Sequence, residues 1–302
     1  LGVWTSSNTA VATVSASGVV TGVSSGTSTI TYTVTTNGCS TSVSSVITVN
    51  PLPVLAAIGG TTSACIGSTT TLTNTTSGGT WTSATPAVAT VNSITGQVSG
   101  VSAGTSLMTY TYTNTNGCTS SVTATVTINA LPVVAAITGT TSACAGSTTT
   151  LTSATASGVW TSSNTATATV NASTGVVTGI AAGSTTITYT VTNGSGCISS
   201  VTTTVTINAL PVVASITGST TVCAGSTTTL TSATALGVWT SSNTAVATVS
   251  ASGNVAIISA ISSGNSTINY SVTNGNGCTS VVSAAVVVNP LPITSFLIKP
   301  TS

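Results

Sequence analysis

Seven thiols are the residues of this sequence whose type and spacing could do chemistry: Cys39, Cys65, Cys118, Cys144, Cys197, Cys223 and Cys278. Around them the usual reactive partners are missing. The 302 residues include one Lys (Lys299) and no Arg, His, Asp or Glu, whereas ordinary domains carry roughly 25% charged residues. A thiol or hydroxyl becomes a useful nucleophile only beside a base or a cation, and general acid–base catalysis needs His or a tuned carboxylate. The many Ser and Thr hydroxyls are therefore not active sites, and no catalytic residue is assigned. Zinc usually takes His with Cys, calcium takes carboxylates, and phosphate contacts rest on Lys and Arg. The expectation is a non-enzymatic protein with no cofactor, no bound metal and no nucleic acid partner.

What remains for the cysteines is disulfide formation, and they keep step with a repeat. Trp4, Trp81, Trp160 and Trp239 stand 77, 79 and 79 residues apart (81 − 4, 160 − 81, 239 − 160). Four Asn-x-Leu-Pro segments recur with them, carrying Leu52 and Pro53, Leu131 and Pro132, Leu210 and Pro211, and Leu291 and Pro292. A fixed period of this length marks an array of small domains. The segments place boundaries at 1–50 (a partial domain), 51–129, 130–208 and 209–289, with 290–302 as a linker and the first strand of a further domain. Residues 1–50 begin just before the Trp strand, which reads most simply as an excerpt from a longer array. The alternative is a partial domain completed by a strand from a neighbouring subunit. The last full copy is two residues longer, and a loop or bulge near "NVAIISAISSG" is expected to absorb them.

Within a copy the hydrophobic period is two. Ile187, Tyr189 and Val191 alternate with Thr186, Thr188 and Thr190, and Val201, Thr203, Val205 and Ile207 alternate with Thr202, Thr204 and Thr206. Such alternation predicts half-buried antiparallel strands. "NGSG" and "NGNG" between the runs predict hairpin turns, since Asn and Gly tolerate positive φ. About seven short strands per copy, with Gly-rich turns, predict a β-sandwich. The four Trp are the expected core, and each linker Leu is expected to plug the space between neighbouring domains. X-Pro holds the residue before it extended, so the array is expected to form an elongated rod.

The run Trp160, Ser162, Ala168, Thr169, Val170, Gly175, Val177, Gly179, Ile180, Gly183, Ile187 and Tyr189 resembles the group 2 bacterial immunoglobulin-like repeat, over nearly the whole chain. The "CAGSTTTLT" strand before it and the Gly-Cys after it resemble versions found in long surface proteins of the Bacteroidota. The resemblance implies tandem immunoglobulin-like β-sandwiches in an extracellular adhesin or filament, with type IX secretion and a link to gliding motility. The chain departs from that pattern in having no acidic residue to hold calcium.

Each full copy carries one Cys before its Trp and one after its Tyr strand, which suggests disulfides in an oxidising compartment. Pairing within each domain is one possibility. The other follows from length: the last strand runs 11 residues from Cys118 to Ile128, about 36 Å at ~3.3 Å per residue, and a disulfide needs Cα atoms within about 7 Å. Opposite ends of one domain are too far apart, which favours Cys65 with Cys197 and Cys144 with Cys278. Cys39, Cys118 and Cys223 then take partners outside the sequence. Two functions fit: a stiff stalk or filament of a bacterial surface adhesin that self-associates, and a binding module whose Thr rows meet ice or polysaccharide or carry O-glycans. The outer face reads Thr186, Thr188, Thr190 in one copy and Thr267, Asn269, Ser271 in another, and that drift favours the spacer. A target would then be met by domains beyond this sequence.

Overall fold

The computed structural model describes residues 2–293 and contains strands, turns and no helix among them. Residues 294–302, the end of the expected linker and further strand, lie outside the described residues. Two compact units are present: one takes in residues up to Pro132 together with Thr192–Ile198, the other Val133–Val191 and the residues from Ser199 onward.

In the first unit, residues 59–129 form two four-stranded sheets. One orders Ala89–Val91, Gln97–Gly100, Thr69–Thr73 and Gly59–Gly60; the other orders Ser63–Cys65, Thr119–Asn129, Gly104–Thr113 and Thr80–Ser83. That makes eight strands rather than seven. The eighth is a three-residue strand ending in Cys65 that joins the end of Thr119–Asn129 in parallel, Asn129 opposite Cys65. The same pair of sheets recurs over 137–208 and 217–289, with Cys144 opposite Asn208 and Cys223 opposite Asn289. Ahead of them, residues 3–49 form a three-stranded sheet (Val3–Ser6, Gly26–Thr36, Cys39–Val49) and a two-stranded hairpin (Ala12–Val14, Val20–Gly22).

The period-two pattern decides what is buried. Ile187, Tyr189, Val191, Val205 and Ile207 enter the core of their sandwich, while Thr186, Thr188 and Thr190 stay part-exposed on the other face. Leu72, Leu151 and Leu230 of the Thr-Thr-Thr-Leu-Thr strands fill the centre of each core from the opposite sheet. Trp81, Trp160 and Trp239 are buried and stand opposite Tyr110, Tyr189 and Tyr270, with ring centroids 4.7, 4.4 and 4.5 Å apart. Tilted cross-strand pairs of this kind contribute about 0.5–1.5 kcal/mol beyond area burial. Trp4 pairs with Tyr32 in the same way but is only half-buried, because residues 3–49 supply no leucine strand to cover it.

The Ser two residues after each Trp closes the other end of the core. Ser162 Oγ donates to Ala168 O (2.7 Å) and meets the buried Thr185 hydroxyl at 3.0 Å; Thr185 in turn accepts the Asn164 amide. Ser83 with Ser106 and Ser241 with Ser266 repeat this cluster. These hydroxyls satisfy buried backbone groups, which would otherwise cost about 1–3 kcal/mol each.

Two expectations are corrected. The linker leucines do not plug a gap: Leu52 is 67% exposed and Leu291 63%, and Leu131 and Leu210 also face solvent. The residues anchoring each linker to a core come later, Leu55 and Ile58, Val134 and Ile137, Val213 and Ile216. Proline at 53, 132 and 211 fixes an extended path, and alternation along it turns Leu outward. The two extra residues of the last copy form neither loop nor bulge. They lengthen the Ala247–Ser252 and Val255–Ala260 strands into a hairpin closed at Gly253-Asn254, where other copies have a short hairpin with a five-residue loop.

Candidate functional site

The residues with reactive potential gather where a hairpin tip meets a linker. The tips at Asn114, Asn193 and Asn274 are built the same way. Asn193 Oδ1 accepts the amides of Ser195 and Cys197, both at 3.0 Å, and Gly196 takes φ +78°. Asn114 and Asn274 do the same for Cys118 and Cys278. The turn therefore works through an Asn side chain that mimics a backbone acceptor, with positive φ left to the Gly before Cys. Only Asn37-Gly38 places both residues at positive φ, and that two-residue turn leaves Cys39 exposed on its strand.

The same Asn has a second use that its role as a turn former conceals. In the first unit, Asn193 Nδ2 donates to Ala130 O at 2.9 Å, and Cys197 Sγ lies 3.9 Å from Asn129 O. Asn129 O also accepts the Ile66 amide, so Cys65 and the tip converge on one linker residue. Cys197 is 1% exposed and bonded to Cys65, Cα atoms 5.6 Å apart. The second unit repeats the joint: Asn274 Nδ2 donates to Ala209 O at 2.9 Å, Asn208 O accepts the Ala145 amide, and Cys144 bonds Cys278 across 5.6 Å between Cα atoms. The sequence signal for this contact is the Asn four residues before each tip Cys, kept in step with the linker Asn.

Asn114–Cys118 makes the corresponding approach to Asn50-Pro51, with Asn114 Nδ2 3.5 Å from Pro51 O and Cys118 Sγ 3.9 Å from Asn50 O. Cys118 is free and part-buried; Cys39 and Cys223 are free and exposed. Around Tyr110, Tyr189 and Tyr270 the chain makes a further fixed point. Tyr189 Oη accepts the Gly158 amide at 2.8 Å and donates to Thr155 O at 2.6 Å, as Tyr270 does with Gly237 and Thr234. A Cβ at Gly158 would run into the Tyr189 ring, so only Gly fits there. Among the described residues no three His, Cys, Asp or Glu side chains lie together, and no helix is long and apolar enough to cross a membrane. The arrangement can form covalent cross-links and rigid hydrogen-bonded joints.

The family model of the bacterial Ig-like domain (group 2) matches residues 1–45 and 123–201, the second match as long as one 79-residue period. The comparison with curated proteins gave no match. Among solved structures the chain is similar to domains 1–6 of the surface layer protein SbsC, at 18% identity over 95% of this chain and 49% of that one, with a TM-score of 0.24. The chain thus spans about half the length of that protein fragment. It is also similar to a Ca2+-stabilized adhesin with which an Antarctic bacterium reaches out and binds ice (12% identity, 92% and 87% covered, TM-score 0.32). A third likeness is to Drosophila N-cadherin EC1-4 (10% identity, 95% and 92% covered, TM-score 0.22). The sheets and the family match make this an all-β chain of tandem immunoglobulin-like β-sandwich repeats.

Proposed function

We propose that the chain is a non-enzymatic, extracellular structural repeat region that forms a stiff stalk or filament of a bacterial cell-surface adhesin. The observation that carries this reading is the disulfide joint. Cys144–Cys278 ties the sandwich of residues 137–208 to that of 217–289, and Asn274 pins the same tip to the linker. A covalent bond and a side-chain hydrogen bond across one linker remove hinge freedom, which a spacer needs and a flexible tether does not. Disulfides of this kind belong to an oxidising compartment, in keeping with export to the cell surface. Secretion by the type IX route and a part in gliding motility go with this reading. Self-association fits a surface that has no charge on any described residue, since nothing on it sets up like-charge repulsion.

The Thr faces do not favour a ligand-binding role, because Thr188 in one copy is Asn269 in the next. The test is flexibility under reduction. Electron micrographs of single molecules should show straight particles that bend freely after phosphine treatment, with an unchanged circular dichroism spectrum. Equal bending before and after reduction would refute the stalk reading.

A further inference from the structure

Each disulfide joint holds a reactive dipeptide at its centre. Asn193 is followed by Gly194, and Asn274 by Gly275. In an Asn-Gly pair the Gly amide nitrogen can attack the carbonyl carbon of the Asn side chain, because no Cβ stands in its way. Both glycines are open to this step. A Cβ at either would meet nothing within 4 Å, and neither amide donates a hydrogen bond among the described residues. Asn276-Gly277 in the second tip differs, since the Gly277 amide is tied to Asn274 O at 3.0 Å.

What the joint holds still is the carbon under attack. Asn193 Oδ1 accepts the Ser195 and Cys197 amides at 3.0 Å each, and Nδ2 donates to Ala130 O at 2.9 Å. Asn274 is bonded in the same way to the Asn276 and Cys278 amides and to Ala209 O. For the attack, the carboxamide must turn its face to the Gly nitrogen, Oδ1 must leave the amide plane, and Nδ2 must depart. The three hydrogen bonds oppose all of these movements. The bond from Nδ2 also needs the tip to stay against the linker, where Cys65–Cys197 and Cys144–Cys278 keep it.

We infer that Asn193 and Asn274 are sites of deamidation that the closed joint protects and the reduced joint exposes, and that the change keeps the joint from closing again. A small dithiol opens the bond first: it is oxidised to its own disulfide, and the two protein sulfurs take up two electrons and two protons. The Gly nitrogen then bonds to Cγ and gives up its proton, the Cγ–Nδ2 bond breaks, and ammonia leaves with that proton. Water opens the cyclic imide to aspartate, or to isoaspartate, which lengthens the backbone by one carbon. An ionised carboxylate has no proton to donate. At position 193 it sets an oxygen against Ala130 O across the 2.9 Å that Nδ2 spanned, and it brings negative charge to a tip that has none. The inference concerns the chemistry of the joint and holds whatever the array is used for, so its failure would leave the stalk reading untouched.

The experiment incubates the intact chain in mildly alkaline buffer with and without dithiothreitol and follows each Asn by peptide mass spectrometry. Asn193 and Asn274 should convert at least tenfold faster in the reduced chain, with the sandwiches still folded by circular dichroism. Asn114, the equivalent residue of the tip at Cys118, is followed by Thr115 and should stay intact in both samples. Chain reoxidised at once should regain both disulfides, whereas its deamidated fraction should keep Cys197 and Cys278 as thiols. The variant Asn274→Asp retains the acceptor that shapes the tip and loses only the donor to Ala209 O. Its Cys144–Cys278 bond should be reduced at a several-fold lower dithiothreitol concentration. Equal conversion with and without reductant, conversion only with loss of the folded spectrum, conversion of Asn114 as fast as Asn193, full reoxidation of the deamidated chain, or an unshifted midpoint for Asn274→Asp would each overturn the inference.

Discussion

The two disulfides interleave, because Cys144 lies inside the loop closed by Cys65–Cys197 and Cys197 lies inside the loop closed by Cys144–Cys278. This order gives a numerical prediction for a fully stretched chain. Without cross-links, 213 residues separate positions 65 and 278 (278 less 65). With both bonds intact, the shortest path crosses from 65 to 197, runs back to 144 through 53 residues (197 less 144), and crosses to 278. Removing both bonds releases 160 residues (213 less 53), roughly 530–580 Å at ~3.3–3.6 Å each. Removing one releases far less. Cys144→Ser leaves an 81-residue path (278 less 197) and Cys65→Ser a 79-residue path (144 less 65), each longer than the intact path by only about 90–100 Å. Single-molecule force spectroscopy on the chain and the three variants reads these lengths directly. Additive releases, as bonds within each sandwich would give, would refute the interleaved connectivity.

Two further outcomes are expected. Tyr189→Phe removes the acceptor of the Gly158 amide and the donor to Thr155 O, and should destabilise its sandwich by about 1–3 kcal/mol. Hydrogen exchange should localise the loss to residues 137–208, and a loss below about 0.5 kcal/mol would show the pair to be incidental. Stability should be unchanged by EDTA and flat between about pH 5 and 7, because the sequence contains no His, Asp or Glu; a chelator-induced drop in Tm would reveal a ligand set that composition does not provide.

The sandwich core was legible because its signal is local: alternation over Ile187–Val191 fixes which side chains turn inward whatever the strand pairs with. The separation of two cysteines in one copy was legible for a similar reason, since strand length follows from residue count. Contacts that depend on facing surfaces were not. Leu131 and Val134 are both apolar and close to Pro132, and only the direction of the extended chain decides that Val134 packs and Leu131 does not. Asn193 carries a turn signal strong enough to account for it fully, so its bond to Ala130 shows in sequence only as the constant spacing between the tip Asn and the linker Asn. The two added residues near Gly253 could lengthen strands or loosen a loop at equal length. In the structure the longer hairpin takes them.

The chargeless surface has a consequence for how long such a protein lasts outside a cell. Proteases that cut after basic residues find one possible site, Lys299, and those that require an acidic residue find none. Enzymes that prefer aromatic residues meet Trp81, Trp160, Trp239, Tyr110, Tyr189 and Tyr270 already inside packed sheets. Cleavage at these would need a sandwich to open first. Digestion by peptidases of these three specificities should therefore be slow, with the part-exposed Trp4, Tyr32 and Tyr112 as the aromatic positions open to attack.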